Sequence, residues 1–333
     1  MTSFDADEMR NQLAAFDPLA PFSISGAWQD YHGLYRLEPS VDKYHYSIGL
    51  EILDGTELVV QLFSPSADLK KAKGTVVLMH GYMDHVALYG KLINHVLEQG
   101  WALLSYDLPG HGLSSGASHA IDHFSEYAAQ LEQILSHHPL LASPLVLMGQ
   151  STGGAIILEH HRLFGDAVAS ADTIGHVDRL SIAHRILLAP LIRPKQYRSI
   201  QLQYHIFHYF LDRVKRFYTP NSHDKGFTRF IREKDPLQKS WVSVDWIGAM
   251  LVWVKAIESW RPRQAEVTVF QGTDDQTVEW EHNLTVLCDI YPDISIKKIE
   301  GARHNLANED EQWREPVFSG ITAILSSIDR KNA

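Results

Sequence analysis

One cysteine, Cys288, is all that the 333 residues contain. No intramolecular disulfide can form, so the fold must hold without covalent staples, as suits a reducing compartment. In the apolar run Leu284-Thr285-Val286-Leu287-Cys288, this cysteine is expected to be a small buried side chain without a catalytic role. Basic residues are also scarce. The 30 Lys and Arg against 40 Asp and Glu leave a net charge of -10, which excludes the electrostatic pull expected of a nucleic-acid binder. No window approaches the roughly 18 uninterrupted apolar residues of a membrane-spanning helix, and the greasiest stretch, 246–254, stops at Lys255. Asp5, Asp7 and Glu8 stand where a secretory leader would carry positive charge ahead of an apolar run. A cytoplasmic protein, soluble or peripheral to a membrane, is the expectation.

What the chain does have is apolar mass, at 45% of residues, enough for one large core or a core with an appended domain. Residues 44–65 alternate polar and apolar around Asp54-Gly55, which predicts two antiparallel strands joined by a tight hairpin turn. Short β-branched or apolar runs follow at 75–79, 101–106, 144–148, 185–189, 266–270 and 295–299. They read as strands buried on both faces of a sheet. Helical patterns lie between them at 89–98, 123–138, 153–163 and 279–290. Such alternation implies crossover connections and a mostly parallel, doubly wound α/β sheet, with the first hairpin as antiparallel edge strands. The rhythm breaks over about fifty residues after 192, where no buried strand is legible, and the segment reads as a helical insertion. The expected division is an N-terminal extension at 1–43, a core at 44–191 and 246–333, and a helical cap at 192–245. The first forty residues hold aromatics without a period and receive no elements.

Gly149-Gln150-Ser151-Thr152-Gly153 follows one predicted strand and opens a helix, the context of the sharp turn that exposes a nucleophilic serine. Composition alone would produce this five-residue pattern in about one chain in ten, so its placement carries the weight. A serine hydroxyl needs a base to take its proton and an acid to orient that base. In this architecture the order is Ser, acid, His. Gly272-Thr273-Asp274-Asp275 follows one predicted strand and Gly301-Ala302-Arg303-His304 follows the next, both at C-terminal strand ends where open α/β sheets place their sites. Either aspartate alone reads as a turn residue, and His304 alone as one of 19 histidines; the joint order and placement indicate a triad. The loop His80-Gly81-Tyr82-Met83-Asp84-His85 is placed to supply a backbone N–H to a developing oxyanion. Tyr82 and Thr152 are the expected donors. His80 and His85 lack the carboxylate or cysteine neighbours of a metal site, and neither a metal nor a cofactor is expected.

Taken together, His80 to His85 with Tyr89, the run Asp107-Leu108-Pro109-Gly110-His111-Gly112-Leu113-Ser114, Gly149 to Gly154, Asp235-Pro236-Leu237 and Gly301 to Glu309 resemble the monoacylglycerol lipase and lysophospholipase branch of the α/β-hydrolases, among the serine aminopeptidase S33-like hydrolases. The resemblance spans about residues 44–324. It implies the α/β-hydrolase fold, Asp275 rather than Asp274 as the triad acid, Tyr82 and Thr152 as oxyanion donors, and a structural role for Asp107 and His111. Gln150 and Thr152 replace the family's usual His and Met beside the nucleophile, which leaves the triad intact and the substrate unnamed.

Residues 192–240 hold eleven Lys or Arg against four Asp or Glu, a balance of +7 where the rest of the chain carries -17. The basic side chains interleave with Tyr204, Phe207, Phe210 and Phe217, suited to an anionic lipid surface or a phosphate-bearing head group. A solvated helical face with aromatics turned inward accounts for the same composition. The expected activity is hydrolysis of a carboxylic ester of a single-chain lipid, either a monoacylglycerol or a lysophospholipid, with Ser151, Asp275 and His304 as the catalytic residues. A general carboxylesterase or aminopeptidase-like amide hydrolase is the alternative, although the basic cap argues against holding a substrate's free amine. A ligand receptor retaining the fold would usually have lost a triad member.

Overall fold

The computed structural model describes residues 4–138, 140–165 and 182–332. The N-terminal segment forms three short helices, α1 (Ala6–Arg10), α2 (Ala27–Tyr35) and α3 (Glu38–Lys43). The hairpin follows as β1 (His45–Leu53) and β2 (Thr56–Ser64). Asp54 and Gly55 between them both have positive φ, at 49° and 79°, as a two-residue turn matched to the strand twist requires. Then come β3 (Thr75–Met79), α4 (Gly90–Glu98), β4 (Ala102–Tyr106), α5 (Phe124–His137), β5 (Leu145–Gln150), α6 (Thr152–Phe164) and β6 (Ile182–Leu188). The inserted segment holds α7 (Tyr197–Phe207), β7 (Arg213–Lys215), α8 (Lys225–Glu233) and β8 (Trp241–Ser243), leading into α9 (Val244–Glu258). The chain closes with β9 (Val267–Gly272), α10 (Trp280–Ile290), β10 (Ser295–Ile299) and α11 (Glu311–Asn332).

Eight strands form one sheet in the order β1-β2-β4-β3-β5-β6-β9-β10. Only the pairs of β2 with β1 and with β4 are antiparallel; β4 through β10 run parallel. Side chains alternate between two cores, because successive residues of a strand point to opposite faces. Val77, Met79, Leu104, Leu145 and Leu147 pack on one side with α5, α6, α9 and α10. Val76, Leu78, Leu103, Val146 and Met148 pack on the other with α4, α11 and the N-terminal helices. Burial on both faces is why these strands read as continuous apolar runs.

Three expectations need correction or completion. The insertion is not wholly helical. β7 and β8 form a separate two-stranded antiparallel sheet, Arg213 facing Ser243 and Lys215 facing Trp241, and three-residue strands are too short to show a period. Cys288 is exposed, not buried. At 100° per residue it falls on the outer face of α10, with Thr285 and Asp289, while Leu284, Leu287 and Ile290 face inward. The unassigned N-terminus packs as an aromatic cluster in which Trp28, Tyr31 and Tyr35 are buried with successive ring centroids 5.8 and 5.1 Å apart.

Candidate active site

Ser151 occupies the single residue between β5 and α6, with φ 53° and ψ -113°. A non-glycine residue at positive φ is strained and persists only when its surroundings hold it. They do so here through hydrogen bonds: its N–H donates to the Leu188 carbonyl at 2.9 Å, and its carbonyl accepts from Leu191 and Ala155 at 3.0 and 3.1 Å. The flanking glycines are demanded by contact. A Cβ on Gly149 would stand 2.3 Å from the Gly153 carbonyl carbon, and one on Gly153 would stand 2.0 Å from the Met79 carbonyl oxygen. Thr152 is the first residue of α6, so its N–H has no partner within the helix.

The two aspartates after β9 part company in space. Asp275 is fully buried, and its Oδ2 accepts the His304 Nδ1–H at 2.7 Å and a Gln271 Nε2–H at 3.1 Å. Oδ1 accepts from the Thr277 and Val278 N–H groups at 2.8 and 3.2 Å. Burial would push this carboxyl up, but the His304 charge and these donors outweigh it and hold the pKa below the usual carboxylate range. Asp274 instead faces solvent, with Arg303 at 3.4 Å. His304 is 6% exposed. Its carbonyl accepts from the Gln150 Nε2–H at 2.9 Å, so the residue before Ser151 anchors the loop bearing His304.

The loop after β3 is held from several directions. His80 donates from Nδ1 to the Gly81 carbonyl at 2.8 Å and accepts the Leu108 N–H at Nε2 at 2.9 Å. Both ring nitrogens are therefore engaged, and burial keeps the imidazole neutral, its pKa well below the ordinary value. The Tyr82 ring stacks on Trp246 with centroids 3.8 Å apart, its hydroxyl donating to the His119 carbonyl at 2.8 Å and accepting from the Ser243 N–H at 3.2 Å. Asp107 accepts the N–H groups of Val86 and Leu113, both at 2.8 Å, tying this loop to the one after β4. A buried pair not anticipated in the residue-by-residue reading joins His85 Nε2 to Asp235 Oδ2 at 3.1 Å, with Tyr35 donating to Asp235 Oδ1 at 2.6 Å. Burial alone would lower His85, yet Asp235 beside it holds its pKa above the ordinary value. The Asp235-Pro236-Leu237 motif was the available signal for this pair, which ties the N-terminal helices, the loop after β3 and the insertion together.

Ser151, Thr152, Tyr82 and His304 line one cavity of about 1050 Å³, with Asp275 behind His304. Elements α7, α8, β7, β8 and α9 supply much of its wall. Ile200, Phe207, Leu211, Trp246 and Met250 make that wall largely apolar, while Lys215, Arg216, Lys225, Arg229 and Arg232 add positive charge.

The family model described as serine aminopeptidase, S33, matches residues 70–311. A monoacylglycerol lipase from Mycolicibacterium smegmatis is 28% identical over 110 residues, which are 32% of this chain and 38% of that protein. Phospholipase YtpA from Bacillus subtilis is 26% identical over 272 residues, or 75% of this chain and 93% of that protein. The structure of a soluble variant of monoglyceride lipase from Saccharomyces cerevisiae, with a substrate analogue, superposes with a TM-score of 0.69. It is 20% identical and the match covers 84% of this chain and 94% of that one. Matched over most of its length, with the sheet order and crossovers described above, the chain belongs to the serine aminopeptidase, S33 family of α/β-hydrolases and is similar to its monoacylglycerol lipase branch.

Proposed function

We propose that this protein is a serine hydrolase that cleaves carboxylic esters of single-acyl-chain lipids through an acyl-enzyme at Ser151. The observation that carries the reading is the strained Ser151 opening onto the same cavity as His304, whose Nδ1–H is held at 2.7 Å by the buried Asp275. In this scheme His304 takes the Ser151 proton as the hydroxyl attacks the ester carbonyl, then delivers it to the departing alcohol. Asp275 keeps Nδ1 protonated so that Nε2 is the accepting atom. The backbone N–H groups of Tyr82 and Thr152 receive the oxyanion, and water deacylates the enzyme by the reverse sequence. No cofactor is called on. Residues 192–245 act as a cap whose apolar wall takes the acyl chain. Both monoacylglycerol lipases and a phospholipase stand among the similar proteins, in keeping with a single-chain lipid.

Amide hydrolysis at a free N-terminus would require carboxylates to hold the amine. Asp84 is the one carboxylate lining the cavity among the described residues, against five cationic side chains. The same segment also supports peripheral contact with an anionic membrane: eight of the thirteen large apolar side chains exposed among the described residues lie between 202 and 218.

Labelling with a fluorophosphonate probe, followed by hydrolysis of p-nitrophenyl esters, monoacylglycerols and lysophospholipids, tests the scheme directly. Wild-type protein should label at Ser151, and Ser151→Ala should lose both labelling and about 10⁴-fold or more of kcat. Ester hydrolysis that survives in Ser151→Ala would refute it.

A further inference from the structure

Arg216 is the cation most firmly built into the cavity wall. It directly follows β7, and its N–H donates to the Ser240 carbonyl at 2.9 Å, which sets it beside β8. The guanidinium donates from Nη1 to the Gln238 Oε1 and lies 4.6 Å over the Tyr218 ring. Gln238 in turn donates from Nε2 to the Met83 carbonyl at 2.6 Å. Two hydrogen bonds therefore separate Arg216 from the loop that carries Tyr82, and its charge is felt at the Tyr82 hydroxyl and the Asp84 carboxyl.

A half-buried guanidinium ordinarily meets a carboxylate, because leaving it uncompensated costs desolvation. Among the described residues Arg216 has no ion pair, although one of its five N–H donors is engaged with Gln238. Three of the four acids in residues 192–240 are engaged elsewhere, Asp224 with Lys91, Glu233 with Arg232, and Asp235 with His85 and Tyr35, and the fourth, the exposed Asp212, forms no ion pair with Arg216 among the described residues. Asp84, the one carboxylate lining the cavity among the described residues, accepts the Tyr89 hydroxyl at 2.7 Å and forms no ion pair with Arg216, although the two charges feel each other. Lys215, Lys225 and Arg229 line the same cavity and form no ion pair among the described residues. An unpaired planar fork within a largely apolar chamber, with further cations around it, is the arrangement that receives a phosphate or carboxylate.

We propose that Arg216 is the anion-binding residue of a head-group subsite, and that the preferred substrates are single-chain esters with a phosphate on the alcohol side. This rests on the ester-hydrolase reading above and narrows it from neutral to anionic head groups. Arg216 acts on binding and not on bond making, so its removal should appear chiefly in KM.

The test compares 1-octanoylglycerol with 1-octanoylglycerol 3-phosphate, both dissolved as monomers so that no lipid surface contributes. Wild-type protein should favour the phosphate ester. Arg216→Gln should lower kcat/KM on it about 10- to 100-fold, a loss several-fold larger than on the neutral ester, and Arg216→Lys should recover part of the difference. A second measurement uses the wild-type protein alone: decyl phosphate should inhibit p-nitrophenyl butyrate hydrolysis at least about tenfold more strongly than decanol. That arm decides the matter if Arg216→Gln fails to melt cooperatively. Equal losses on the two glycerol esters in a folded Arg216→Gln, or equal inhibition by the phosphate and the alcohol, would overturn the inference while leaving ester hydrolysis standing. Failure of wild-type protein to hydrolyse either ester would sink both.

Discussion

Asp274 and Asp275 are neighbours in one turn, yet a single residue's difference in position gives them opposite surroundings. Asp275 meets His304, Gln271 and two backbone N–H groups in a buried site, whereas the Asp274 side chain is 47% exposed beside Arg303. Asp275→Asn should therefore lower kcat on a p-nitrophenyl ester by about 10⁴-fold, since an amide that donates toward His304 favours the wrong tautomer. Asp274→Asn should change it by less than about threefold, because an exposed ion pair contributes little. Comparable losses in the two variants would remove Asp275 from its proposed role. The turn itself was legible in the residues, but the choice within it was not. Residue chemistry left both aspartates open, family resemblance favoured Asp275, and the difference in burial separates them physically. Gln150 shows the reverse: it stood out as a departure from the family pattern, and its hydrogen bond to the His304 carbonyl became visible only once two distant loops met.

At the scale of elements, α7 and the turn after it present an apolar surface to solvent, with Tyr209 and Phe210 each 82% exposed. Neither lines the cavity, so the pair separates membrane contact from catalysis. Replacing both by serine should weaken co-sedimentation with anionic vesicles by about tenfold or more, given the transfer free energy of aromatic side chains. Hydrolysis of a monomeric short-chain ester should stay within about twofold. Unchanged vesicle binding in the double variant would show that this face does not meet the membrane. Elements of the main sheet were recovered from sequence to within a few residues, because strands buried on both faces carry dense apolar runs and 3.6-residue periods fill the gaps. β7 and β8 escaped notice because three residues with mixed exposure carry no period.

The whole molecule buries several histidines in neutral form, and this gives its stability a defined pH dependence. Burial lowers His32 and His111 to about 4 from 6.5, and drives His80 and His119 further down. For such groups the unfolded chain binds more protons between the two pKa values, so their stabilisation is complete above pH 6.5 and is lost as pH falls toward the folded value. His111 alone corresponds to about 3 kcal/mol lost between pH 7 and pH 4. Asp275, Asp235 and Glu309, whose pKa values lie below the ordinary carboxylate range, withdraw their contribution at still lower pH. His85, raised by Asp235, works in the opposite sense and stabilises below its folded pKa. The melting temperature should therefore fall steadily from pH 7 to pH 4, and His111→Gln should flatten that slope; an invariant melting temperature over this range would contradict the account. From the residues alone came the strands, the crossovers, and the order Ser151, an aspartate at 274 or 275, then His304, because periodicity, turn chemistry and strand ends are local properties that neighbouring residues express. Tertiary structure alone decided that Gln150 reaches His304 across 154 residues, that Asp235 meets His85 across 150, and that Arg216 lines the cavity without an ion pair among the described residues. These depend on which crossovers and insertions bring distant segments together, and proximity of that kind leaves no period in the chain.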